Sequence, residues 1–134
     1  MDVRLEDEIL NESRVIAIVG LSPNPDRPSN EVGRHLQEKG YRIVPVNPAA
    51  KEILGEVAYP DLTSIPEKVD VVDIFRRSED VPPIVEQAIK IGAKTVWMQE
   101  GVINEDAALR ARQAGLHVVM DRCFWKEYRR LHGI

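Results

Sequence analysis

The sequence predicts a Rossmann-like α/β fold: a doubly wound parallel sheet of about five strands, with helices on both faces in three layers. The first observation behind this is a rhythm set by glycine. Three times a helical stretch ends at a glycine and an apolar run follows: Lys39-Gly40 before Tyr41–Val46, Ile91-Gly92 before Lys94–Met98, and Ala114-Gly115 before Leu116–Met120. Glycine just past a helix supplies the left-handed conformation that closes it. The second observation is the character of these runs and of two more, Arg14–Val19 and Val69–Phe75. They are short, mostly β-branched or apolar, and do not alternate cleanly, as strands covered on both faces do not. The third is the regular alternation of these strands with helical patterns, which implies parallel strands joined by right-handed crossovers.

Taken in order, residues 3–12 form a helix outside the repeat. The strand at Arg14–Val19 leads into a long loop and then a helix reaching Lys39, capped by Ser29 or Asn30, with Val32 and Leu36 on one face. The second strand ends at Val46. From Asn47 to Lys68 the chain carries Pro48, Gly55, Pro60 and Pro66, which reads as loop with one helical turn near Lys51–Leu54. Asp70 and Asp73 lie three apart in the next strand, so their side chains point to opposite faces. Asp80 with Pro82-Pro83 opens a helix whose apolar side is Ile84, Val85, Ala88, Ile89 and Ile91. Asn104 caps another, with Glu105 and Asp106 in the first turn, where the helix dipole favours acids. The aromatic and basic stretch 122–132 packs back as a closing helix, with a dimer contact as its alternative use.

Length and composition bound the rest. The 134 residues suit a single domain over 1–134, with 43% apolar and 30% charged residues. Net charge is −4, which disfavours a general nucleic-acid binder. No run approaches the ~18 apolar residues of a membrane span. Cys123 is the single cysteine, so no internal disulfide forms, and a cytoplasmic location is expected. The histidines, His35, His117 and His132, are scattered without an i, i+4 pair and read as surface or packing residues.

In doubly wound sheets ligands bind at the carboxyl ends of the strands, where strand order reverses. The candidate site is therefore the set of residues just after each strand. After the first come Gly20-Leu21-Ser22, then Arg27-Pro28-Ser29 at a helix start. Gly20 permits a tight turn, Ser22 and Ser29 offer hydroxyls, Arg27 offers a charged fork, and the helix N-terminus is a seat for phosphate. After the second strand comes Asn47-Pro48, with Lys51 nearby. After the third comes Phe75-Arg76-Arg77: the arginines either hold a polyanion or pair with Glu79 and Asp80, and one of them at most faces a ligand. After the fourth, Met98-Gln99-Glu100-Gly101 brings a polar reader in Gln99 and close backbone approach at Gly101. Cys123 follows the last strand, either as a buried inert thiol or as a redox partner for a ligand thiol.

Several chemistries are excluded or disfavoured. The dinucleotide fingerprint G-x-G-x-x-G fails, with Ser22 and Pro25 at its second and third glycine positions. The acid that would hold the NAD ribose is replaced by Asn47-Pro48. NADP is disfavoured less, since Lys51 can meet a 2′-phosphate. No P-loop is present, and Asn24 occupies the final glycine position of a nucleophile elbow begun by Gly20-Leu21-Ser22.

These strand ends together resemble the stand-alone bacterial and archaeal CoA-binding proteins. They are similar to the CoA-binding domain of the succinyl-CoA synthetase α chain and of ADP-forming acyl-CoA synthetases. The resemblance runs from about Val15 to Cys123. Its marks are Val19-Gly20-Leu21-Ser22-Pro23 with Arg27-Pro28-Ser29, Gly40–Pro48, Asp70–Arg76, Val96–Gly101 and Asp121-Arg122-Cys123. It implies coenzyme A or an acyl-CoA as ligand. Gly20, Leu21, Ser22 and the loop to Ser29 then serve phosphate and pantetheine, and Asn47, Pro48 and Lys51 flank the adenosine end. Phe75, Arg76, Arg77, Met98, Gln99 and Gly101 line the remainder. The larger enzymes of this resemblance use a phosphorylated histidine in a further domain, so binding without catalysis is the expectation for this chain alone. The alternatives are an NADP-type oxidoreductase or a subunit of an acyl-CoA ligase. The expected partner is the small-molecule ligand, with a homodimer or a protein partner left open.

Overall fold

Among the described residues of the computed structural model seven glycines have positive φ, each within three residues of the end of a strand or helix, which sets the chain's punctuation. The structure describes residues 4–134. The elements are α1 (Leu5–Glu12), β1 (Val15–Val19), α2 (Pro28–Glu38), β2 (Arg42–Val46), β3 (Glu52–Ile53), β4 (Glu56–Val57), β5 (Val71–Ile74), α3 (Val81–Lys90), β6 (Thr95–Met98), α4 (Glu105–Gln113), β7 (His117–Val119) and α5 (Phe124–His132). Short 3-10 turns lie at Leu62–Ser64 and Ser78–Asp80. Residue 3 of the expected 3–12 helix lies outside the described residues.

Five strands form one parallel sheet in the order β2-β1-β5-β6-β7. The chain begins near the middle with β1, moves out to β2, then crosses to β5 on the other side of β1. Strand order therefore reverses between β1 and β5. One face of the sheet presents Ala17, Val19, Val72, Ile74, Val96 and Met98 to the apolar sides of α3 and α4. The other presents Ile16, Ile18, Val71, Trp97 and Val119 to α1, α2 and α5, through Leu10, Leu36 and Phe124 among others. The fold class is the Rossmann-like three-layer α/β arrangement.

The local details depart from expectation in four places. Residues 51–57 make a β-hairpin, not a helical turn: Glu52 pairs with Val57 and Ile53 with Glu56. Its turn, Leu54-Gly55, has φ of 55° and 76°, the two left-handed positions of a type I′ turn. Helix α2 starts one residue before Ser29, at Pro28, with Arg27 as its flanking residue and no side-chain cap. Proline suits that first position because its missing N–H is unneeded there. The strand β5 is shorter than Val69–Phe75. Asp70 precedes it, at the amino edge of the sheet, where Oδ2 accepts the N–H groups of Arg14 and Val15, both at 2.9 Å. Asp80 flanks α3 without a side-chain cap and is itself part of a 3-10 turn. Asn104 caps α4 as expected, its Oδ1 accepting the Ala107 N–H at 2.9 Å.

Helix α5 closes the structure against α2 and the sheet. Trp125 stacks on His35 with ring centroids 4.5 Å apart, and Trp97 Nε1 donates to the Arg122 carbonyl at 2.8 Å. Arg4 and Asp7 of the first helical region pair with Glu127 and Arg130 of α5. The β3–β4 hairpin is held differently, by a notch in α2. A Cβ built on Gly33 would stand 3.0 Å from Leu54 Cδ1 and 3.3 Å from Leu21 Cδ1, and Gln37 Nε2 donates to the Leu54 carbonyl at 3.1 Å. Gly33→Val fills that notch and displaces the hairpin tip. Overpacking of this kind costs about 1–3 kcal/mol, to be read from urea unfolding.

Candidate functional site

The backbones of β1 and β5 come close together at the point where strand order reverses. Gly20, just past β1, has φ of 89°, and a Cβ there would lie 2.3 Å from the carbonyl oxygen of Phe75, just past β5. The same Cβ would lie 3.3 Å from Arg76 Nε, so the Arg76 guanidinium lies close to Gly20. Around this contact opens a cavity of about 610 Å³. Gly20, Ser22, Arg27, Pro28 and Ser29 form one wall, Phe75, Arg76, Arg77 and Asp80 another, and Gln99, Glu100 and Val102 the third. A smaller cavity of about 150 Å³ adjoins through Arg76 and includes Pro48, Ile84 and Gln87.

The loop after β1 is tied to itself before it meets any ligand. The Gly20 N–H donates to the Val46 carbonyl at 2.9 Å. Ser29 Oγ accepts the Ser22 N–H at 3.0 Å, and Ser22 Oγ accepts the Asn24 N–H at 3.1 Å. Asn30 Nδ2 donates to the Ser22 carbonyl, and Arg34 in turn donates to Asn30 Oδ1 and the Pro25 carbonyl. Each serine keeps its own O–H for donation. The long connection is thus a built wall, and it presents the N-terminal, electropositive end of α2 to the cavity.

Charge singles out two arginines. Arg77 has 78% of its side chain exposed and pairs with Glu79 at 3.4 Å and Asp80 at 3.3 Å. Glu100 pairs with Lys126 at 2.9 Å. Among the described residues Arg27 and Arg76 form no ion pair, so they leave positive charge at the cavity mouth. A second large cavity, about 460 Å³, lies at the amino edge of the sheet. Its character differs: Glu8 and Glu12 line it with the C-terminal ends of α3 and α4, and the Lys94 in its lining pairs with Asp70. Carbonyl-rich helix ends and carboxylates repel anions.

The sequence candidates divide accordingly. Gly20, Ser22, Arg27, Ser29, Phe75, Arg76, Arg77 and Gln99 come together in the main cavity, and Pro48 lines the adjoining one. Leu21 and Met98 turn away and are fully buried in opposite core clusters. Asn47 serves the fold: Nδ2 donates to the Leu21 carbonyl at 3.0 Å, and Oδ1 accepts the Ala49 N–H at 2.8 Å. Lys51 is exposed at the base of the hairpin and lines neither cavity at this edge. Gln99 is buried, and its Oε1 accepts the Phe124 N–H at 3.1 Å, leaving its NH₂ group for a ligand. Gly101 donates its N–H to Asp121 Oδ1 at 2.7 Å and stands outside the cavity lining. Cys123 is buried beside α5 and also stands outside it.

The sequence reading passed over Pro28, Asp80, Glu100 and Val102 as lining residues. It also missed the latch at Asp121, a non-glycine residue at φ of 60° that holds the Gly101 turn. The signals for it were the adjacency of Asp121 to the last strand end and its place in the Asp121-Arg122-Cys123 mark.

The chain is similar to several known proteins. A family model described as the CoA binding domain matches residues 14–129. An uncharacterised protein of Bacillus subtilis, YneT, is 43% identical over 116 residues, 87% of this chain and 86% of that protein. A solved structure of a hypothetical protein from Pyrococcus horikoshii is 42% identical, with a TM-score of 0.92 and 99% of both chains covered. The ADP-forming acetate–CoA ligase I of Archaeoglobus fulgidus is 28% identical over 120 residues, 82% of this chain. This chain spans only 18% of the length of that ligase. The chain belongs to the CoA binding domain family.

Proposed function

We propose that this chain binds coenzyme A or an acyl-CoA in the cavity between β1 and β5, as a cytoplasmic protein that does not catalyse by itself. The observation that carries this reading is the pairing of Arg27 and Arg76 across the Gly20 turn, beside the N-terminus of α2. Coenzyme A bears roughly four negative charges near neutral pH, from a phosphomonoester and a diphosphate. Two arginines and a helix N-terminus answer the diphosphate. The adenosine end lies toward Pro48 in the adjoining cavity. The ligase activity of the larger relative is not carried over. Among the described residues the cavity lining holds no histidine or cysteine, and its carboxylates, Asp80 and Glu100, are both engaged by cations.

The test is a ligand comparison by thermal shift and calorimetry. At a hundredfold excess over its dissociation constant, CoA is expected to add about 2.7 kcal/mol of stability, and NAD nothing. Arg27→Ala and Arg76→Ala each weaken CoA binding by about 1.5–3 kcal/mol, the scale of a hydrogen bond to a charged group, with little change in unfolding. Equal stabilisation by NAD or NADP, or full CoA affinity in both variants, would reverse the reading.

A further inference from the structure

Asp73 sits in the middle of β5, with Ile18 and Trp97 as its register partners on the neighbouring strands. It is fully buried, and among the described residues neither carboxyl oxygen has a hydrogen-bond partner. Alternation along the strand places it on the face of Val71 and Phe75, the face covered by α2 and α5. Phe75 and Gln99 line the cavity from that same face. Asp73 therefore lies two strand residues inward of Phe75, about 6.6 Å deeper, which is one side-chain layer. The Phe75 N–H donates to the Val19 carbonyl at 2.8 Å, which fixes the backbone at the cavity floor.

We propose that the cavity has an inner limb beneath the Phe75 ring, and that Asp73 at its end hydrogen-bonds an uncharged amide, hydroxyl or thiol group on the arm of the ligand. The inference rests on the CoA reading and deepens it. The two unpaired arginines hold anionic groups at the mouth, so what continues inward is the uncharged part of the ligand. Burial pushes the Asp73 carboxyl well above its ordinary range, toward the protonated form. A protonated carboxyl offers one donor and one acceptor, which complements the N–H and C=O of an amide. The pantetheine arm of CoA carries two amides and a thiol, and its other half carries the phosphates.

The experiment compares CoA with adenosine 3′,5′-bisphosphate, which lacks the arm, by calorimetry on the unaltered protein, Asp73→Asn and Asp73→Val. In Asp73→Val, CoA affinity is expected to fall about tenfold or more, as for a buried hydrogen bond removed, with bisphosphate affinity changed less than about twofold. Asp73→Asn keeps a donor and an acceptor, and its CoA affinity stays within about threefold of the original. Should the valine variant not fold, Asp73→Ala answers the same question. Undiminished CoA affinity in the valine or alanine variant, or equal loss of both ligands, overturns the inner limb. Absence of CoA binding by the unaltered protein overturns the CoA reading and the limb with it, while strong binding that ignores residue 73 overturns the limb alone.

Discussion

Gly20→Val is expected to destabilise the protein by about 3–5 kcal/mol and to abolish binding at the strand-end cavity, the upper range for a single substitution. Two costs add. At φ of 89° a β-branched residue is strained, by roughly 1–3 kcal/mol. Its Cβ would also lie 2.3 Å from the Phe75 carbonyl oxygen, an atom of the backbone that cannot step aside as a flexible side chain can. Relief requires β1 and β5 to part at their carboxyl ends, which breaks the Phe75 N–H bond to Val19 and moves Arg76 away from the turn. Gly40→Val makes a useful control, because a Cβ there meets nothing within 4 Å and only the strain remains. Urea unfolding of the two variants separates the contact from the conformation. A Gly20 variant no less stable than the Gly40 variant would show that the close approach costs nothing.

The glycines explain why so much of the architecture was legible beforehand. Gly40, Gly92 and Gly115 all have positive φ just past helices, and the crossovers they punctuate follow from chirality. The strand-end location of the candidate site follows from topology alone. The hairpin at 52–57 was illegible because two-residue strands carry no period, and because Leu54 holds a left-handed position that favours glycine or asparagine. Position just past a strand also says little about direction. Leu21 follows Gly20 directly and goes into the core, whereas Ser22 faces the cavity. Met98 and Gln99 leave opposite faces of the sheet, and only the register of β6 against β5 decides which one reaches the cavity. The arginine pair was posed as ligand or ion pair, and the geometry divides it. The 3-10 turn after Arg77 brings Asp80 back onto that residue, while Arg76 stays over Gly20.

The second large expected effect is a pH dependence carried by Asp73, with the opposite sign to that of its neighbour Asp70. Burial raises the Asp73 carboxyl well above its ordinary value of 3.8. In the folded state it therefore keeps a proton that the unfolded chain has already lost. Between pH ~4 and the folded-state value, stability falls as pH rises, by at most about 1.4 kcal/mol per pH unit. The contribution is fully present below the unfolded value and is lost as pH climbs through the folded one. Asp70 behaves in reverse. Burial alone would raise its carboxyl, but the N–H groups of Val15 and Arg14 and the nearby Lys94 outweigh that and lower it. Its contribution is present above the unfolded value and is lost on acidification. Asp73→Val removes the first effect and leaves the second. Stability measured at intervals from pH 4 to pH 8 should show the difference, variant minus original, growing with pH. At pH 7 the variant should be more stable by about 1–3 kcal/mol or more, the desolvation cost of an unsatisfied buried polar group. A difference that stays flat across the range would mean that Asp73 does not change protonation between the unfolded and folded chain, and that its carboxyl is partnered in solution.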